Sequence, residues 1–158
     1  MNVEKQSTSH TEDMSSYDPV VRKYFEEQKY RGEMTGANGY GSSGIDCGET
    51  RRVWIKVHDE KIVDIRYSIE GCVPAVATCG MMSELAFGMS IDDAAELSGE
   101  RICSAHGCLL EECLHPADQA ALALYNAIMN YVVRSVQRPE GGSSVLGTTG
   151  EAGRSRRA

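Results

Sequence analysis

Two neighbouring runs of β-branched residues constrain this chain more than any other feature. RRVWIKV (51–57) and KIVDIRYSI (61–69) alternate or run apolar, and the HDEK stretch that joins them is turn-like, so the spacing predicts a β-hairpin. Cysteines stand just outside both ends, Cys47 before the first strand and Cys72 after the second. A hairpin brings its outer ends together, so it can bring those two sulfurs together as well.

The flanking sequence predicts helices. VVRKYFEE (20–27) spaces Val20, Val21, Tyr24 and Phe25 as one face of a short amphipathic helix. The following GEMTGANGYGSSG (32–44) is so rich in glycine that it reads as a loop able to reach unusual backbone angles and to deliver the chain to Cys47. Past Gly71 the string CVPAVATCGMMSELAF is Ala/Met/Leu-rich, with Pro74 where a first helical turn accepts proline and Gly88 as its stop. Ser90 with Asp93 resembles a capping box for a short helix through IDDAAEL. SGERICSAHGCLLEECLH (98–115) is read as irregular, and Pro116 as the opening of the strongest helix. On that helix Leu122, Tyr125, Ile128, Met129, Val132 and Val136 are expected to form one apolar face.

The fold class expected is therefore α+β: a small antiparallel, hairpin-based sheet packed against several helices in a single domain. Residues 1–16 and 139–158 are rich in Ser, Thr, Gly and charge with little to bury, and are read as disordered tails around a domain at 17–138. A formal charge of −7 leaves no basic footprint for nucleic acid or an anionic membrane, and the Arg154, Arg156, Arg157 cluster is read as solvated tail. No stretch approaches the ~20 apolar residues of a membrane span, and no leader pattern opens the chain, so the expected location is cytoplasmic.

In such a reducing compartment the six cysteines are expected to persist as thiols, metal ligands or redox groups rather than as bridges. Cys47 and Cys72, beside glycines at element ends, are the ligand candidates. Cys72 at a helix N-terminus is expected to have a lowered pKa. Cys79, in mid-helix, is read as core packing. Cys103, Cys108 and Cys113 form a C-x4-C-x4-C series with His106 and His115 interleaved, which is not a usual zinc-finger spacing. His10 and His58 are read as solvated.

The block GCVPAVATCGMMSELAFGMSIDDA (71–94) resembles, without a gap, the GC-x2-A-x-A-x-S-S-x-hydrophobic-x-E-x3-G-x-[ST]-hydrophobic-x-[DE]-A block of the NifU/IscU-type iron–sulfur cluster assembly scaffolds. Cys47-Gly48-Glu49 looks like that family's CGD, and His115 with the helix after it looks like its HC segment. The resemblance implies a non-enzymatic scaffold or carrier on which three cysteines and an Asp hold a transient [2Fe-2S] cluster or Zn(II). Sulfur would come from a cysteine desulfurase, and the cluster would leave for iron–sulfur acceptor proteins. Carried over by position, Cys47 and Cys72 match cysteine ligands, Glu49 the Asp, and His115 the family His. Pro116 stands where the third cysteine belongs, so the set is expected to be completed by a displaced thiolate at Cys113 or by His115, with Cys108 and Cys103 as reserve ligands. Leu109–Cys113 lacks the prolines of the LPPVK-like segment read by a dedicated Hsp70-type chaperone, and that contact is not expected. Two alternatives stay open: a zinc-binding or regulatory member of the same fold, and a thiol protein that accepts a persulfide on Cys72 or Cys113.

Overall fold

The computed structural model describes residues 14–44 and 48–137. The hairpin pattern becomes strands β2 (Arg51–His58) and β3 (Lys61–Ile69), paired antiparallel with Val53 opposite Tyr67 and Ile55 opposite Ile65. Asp59 and Glu60 form the two-residue turn, both with positive φ, as a turn matching the right-handed strand twist requires. Alternation places Val53, Ile55, Val57, Ile65, Tyr67 and Ile69 on the buried face.

The glycine-rich stretch is not all loop. Residues Gly39–Ser43 form a further strand, β1, antiparallel to β2, giving the sheet order β1-β2-β3. The physical reason is close approach: a side chain at Gly39 or Gly41 would run into the backbone of a helix lying across the strand. Helix side chains also occupy the outer edge of β1. Asn130 accepts from the Tyr40 N–H at 3.0 Å, and the Asn126 amide donates to the Ser42 carbonyl at 2.9 Å. An edge covered in this way is unavailable for pairing with another strand.

Helix α1 (Pro19–Glu27) opens with Asp18, whose side chain accepts from the Val20 N–H, and buries Val21 and Tyr24. Helix α2 (Val73–Ala86) is buried along most of its length, Cys79 included. Ser90 caps the short α3 (Ile91–Ala95) by accepting from Asp93 N–H at 3.1 Å. Met14–Ser16, placed by sequence in the N-terminal tail, form a 3-10 turn against α1. Residues 1–13 and the whole C-terminal tail lie outside the described residues, and no helix among the described ones is long and apolar enough to cross a membrane.

Two expectations about the C-terminal half need correction. The stretch read as irregular contains helix α4 (Gly99–His106), capped by Ser98, and the first turns of the long helix α5 (Leu110–Gln137). Pro116 therefore lies inside α5 rather than opening it. Burial explains the difference. Cys113 and Ala117, one turn apart, continue the buried stripe of Ala120, Leu124 and Ala127, and packing of that stripe outweighs the backbone hydrogen bond that proline forfeits. The buried face of α5 also differs from the one expected. It is built from small residues, Ala117, Ala120, Ala121, Ala123 and Ala127 with Leu124 and Ile128, because the strand glycines draw the helix close. Leu122, Tyr125, Met129 and Val136 are exposed, and of the expected set only Ile128 is fully in the core.

Candidate functional site

The hairpin's outer ends meet the start of α2 at an open pocket of about 580 Å³. Its lining comprises Gly48, Glu49, Glu70, Gly71, Cys72 and Val73, with Tyr17 and Phe25 as an aromatic wall. Cys72 is the N-cap residue of α2 and makes no side-chain cap of its own. Glu49 supplies the contact from across the hairpin: its Oε2 accepts the Cys72 backbone N–H at 3.1 Å, while its Oε1 lies 3.9 Å from the Cys72 sulfur. Gly71 makes room for this, since a Cβ there would stand 3.1 Å from the Glu49 carboxyl carbon. Gly48, with φ +81° and open space around it, turns the chain into the site.

Behind Glu49 lies Arg51, almost fully buried. Its Nη1 donates to the Glu49 carbonyl at 2.8 Å and its Nη2 lies 3.8 Å from Glu49 Oε1, while Nε is buried without a hydrogen-bond partner among the described residues. The sequence reading passed over Arg51, yet a signal was present. In RRVWIKV it shares strand parity with Val53, Ile55 and Val57, so an inward-facing side chain follows from alternation.

The expected lowering of the Cys72 pKa is not what the site produces. Although Cys72 is exposed, protein packed around its sulfur removes enough water to raise the thiol pKa, and the Glu49 carboxylate raises it further. The Ala75 N–H at the helix end and the Arg51 guanidinium pull the other way and are outweighed. Cys72 is thus held as a thiol beside a carboxylate, and a cation placed between them would oppose both causes of the raised pKa. Burial pushes the Cys79 thiol up to about 12, in keeping with a packing role.

Of the other candidate ligands, Cys47 lies outside the described residues. His115 is exposed on α5. Cys113 is buried and forms a disulfide with Cys108, which corrects the expectation that the cysteines persist as thiols or ligands rather than as bridges, and Cys103 is a buried free thiol. The turn between α4 and α5 explains this grouping. Gly107, with φ +72°, ends α4, and the Cys108 N–H donates back to the Cys103 carbonyl at 2.9 Å. The first turn of α5 then aims Cys113 at both. Among the described residues, the sulfurs of Cys103, Cys108 and Cys113 are the group of three or more potential ligands lying within 4.8 Å of one another. Cys72 and Glu49 gather no third described ligand to that tolerance.

Comparison with known proteins agrees with this architecture. The family model described as NifU-like N terminal domain matches residues 16–138. The chain is 34% identical over 116 residues to iron-sulfur cluster assembly scaffold protein IscU 1 of Archaeoglobus fulgidus, covering 73% of this chain and 76% of that one. It is 35% identical over 117 residues to nitrogen fixation protein NifU of a Nostoc species, where the match spans 73% of this chain and 38% of the longer relative. In three dimensions it is similar to the N-terminal part of a nitrogen-fixing NifU-like protein from Brucella abortus, with a TM-score of 0.59 over 74% of this chain and 94% of that one, at 11% identity. On these matches, the chain belongs to the family of NifU-like N-terminal domains.

Proposed function

We propose that this chain is an iron–sulfur cluster assembly scaffold, receiving iron and sulfide as cargo at the Cys72–Glu49 pocket and handing the assembled cluster on. The observation that carries the reading is the convergence of Glu49 and Cys72 at the mouth of an open pocket, with Cys47 two residues before Glu49 in the chain. The names of the relatives in Archaeoglobus and Nostoc support it. Thiolates select iron–sulfur units and zinc, and a carboxylate among them is a weaker ligand for iron than another thiolate, which suits a cluster that has to leave. Cys47, Cys72 and Glu49 would hold a [2Fe-2S] unit, with His115 or, after reduction of its disulfide, Cys113 as the remaining donor. A cysteine desulfurase is the proposed sulfur source, its persulfide sulfur being reduced to sulfide by two electrons from an external electron donor, and apo-proteins that take up clusters are the proposed recipients. The role is binding and transfer rather than turnover.

Anaerobic reconstitution with iron and sulfide tests the proposal. The wild-type chain should yield a coloured, cluster-bearing product, and Cys72→Ser and Cys47→Ser should each abolish it. A colourless wild-type product, or colour undiminished in both variants, overturns the reading. Zinc that is held stoichiometrically at the same pocket and is not displaced during reconstitution would favour the zinc-binding alternative.

A further inference from the structure

The three sulfurs at the α4–α5 turn do not line the Cys72 pocket, and of the three only Cys113 enters the function proposed above, as one of two options for its last donor. Cys103 and Cys113 are fully buried and Cys108 is 7% exposed. A bridge closing so short a loop adds less chain-entropy stabilisation than one closing a long loop, and a bridge has no use for a third sulfur within 4.8 Å of both its members. Three cysteines placed by secondary structure do match another chemistry. The helix-ending turn at Gly107 ties the backbone of Cys108 to that of Cys103, and α5 presents Cys113 one turn in, so the donors are positioned before any ligand arrives. Thiolates around zinc lie ~2.3 Å from the metal and therefore ~3.8 Å from one another, inside the spread of these sulfurs.

We propose that Cys103, Cys108 and Cys113 form a second, buried metal site for Zn(II), open when all three are reduced and closed by the Cys108–Cys113 disulfide. The chemistry balances with a dithiol reductant: two electrons and two protons pass from the dithiol to the disulfide, leaving two protein thiols and the reductant's own disulfide. Zn(II) then displaces three thiol protons, giving a trithiolate complex of net charge −1 with one coordination position left for water or another small ligand. On this assignment Cys113 is committed to the turn rather than to the Cys72 pocket.

The test uses the full chain carrying Cys47→Ser and Cys72→Ser, so that zinc retention is independent of the pocket proposed above. After anaerobic phosphine reduction, incubation with Zn(II) and gel filtration, metal analysis should find one zinc per chain. The same protein with its disulfide intact should retain at least tenfold less. Adding Cys103→Ser or Cys108→Ser should weaken zinc retention in the reduced protein by at least tenfold, and circular dichroism reports whether each variant is folded. Co(II) added to the reduced double variant should give thiolate charge-transfer absorption of the strength of three sulfurs, a readout needing no substitution in the trio. Absence of retained zinc after reduction, equal retention with the disulfide intact, retention unaffected in folded Cys103→Ser and Cys108→Ser proteins, or a Co(II) spectrum of fewer than three thiolates would each overturn the proposal. Cluster reconstitution on the wild-type chain is read separately and fails or succeeds without reference to the trio.

Discussion

Replacing Gly41 by alanine should damage this fold out of proportion to the one methyl group added. The new Cβ would lie 2.6 Å from the Asn126 carbonyl carbon and 2.7 Å from the Ala123 oxygen, with the Ala127 amide nitrogen also in its way. All three atoms are helix backbone, which cannot turn aside as a side chain can. Reaching ordinary contact at 3.4 Å requires β1 and α5 to part by at least 0.8 Å, across an interface that includes the Asn126, Asn130 and Gln119 hydrogen bonds to β1. Overpacking against a rigid neighbour costs about 3 kcal/mol, and reduced unfolded-state entropy returns about 0.5–1 kcal/mol of it, leaving a loss of about 2 kcal/mol. For a domain of this size that is a fall in Tm of about 6–12 °C. Gly36→Ala is the matched control, because a Cβ there meets nothing within 4 Å and φ is not positive. Urea denaturation followed by circular dichroism gives both stabilities from the midpoint and slope. If Gly41→Ala lies within about 0.5 kcal/mol of Gly36→Ala, the argument that glycine is required here for close approach is wrong.

Other expectations follow from the site and the helices. Because Glu49 raises the Cys72 pKa, Glu49→Gln should lower it and increase the thiolate fraction at neutral pH; iodoacetamide should then label Cys72 faster than in wild type, and an unchanged or slower rate would refute the coupling. Gly71→Ala should leave Tm nearly unchanged, since the new Cβ meets the movable end of the Glu49 side chain, yet it should weaken metal uptake at the pocket, read by iron titration. Cys79 titrates near 9 when unfolded and at about 12 when folded, so the folded state binds its proton more tightly. Its contribution to stability is complete below pH 9 and declines as pH rises toward 12, and a Cys79→Ala protein should show a shallower alkaline loss in pH-dependent urea unfolding. Pro116→Ala restores an N–H to the interior of α5 and should raise stability by about 1–2 kcal/mol in the same assay.

The α+β class, the hairpin, the α1 and α2 segments and the Ser90 cap were legible in the sequence because each rests on local periodicity or a local hydrogen bond. The pairing of Cys72 with Glu49 was legible only as two ends of one hairpin; its contacts depend on Gly71 leaving room for the carboxylate. The misreadings have a common origin. β1 is a strand although composition makes it a loop, α5 runs upstream of its proline, and its buried face is alanine rather than the larger apolar residues. In each case a neighbour far away in sequence decides the outcome: glycine on the strand and alanine on the helix allow two backbones to approach, and that approach sets which side of α5 is inside.

The sequence by itself determined that a hairpin ends in cysteines, that Cys72 opens a helix, and which scaffold family the 71–94 block resembles, because those signals lie within a few residues of one another. Only the tertiary structure decided what surrounds the sulfurs. It put a buried Arg51 behind Glu49, raised the Cys72 pKa where a helix end alone would lower it, and gathered Cys103, Cys108 and Cys113 at one turn. Desolvation and the distances between charges belong to the packed molecule, and local pattern carries no record of either.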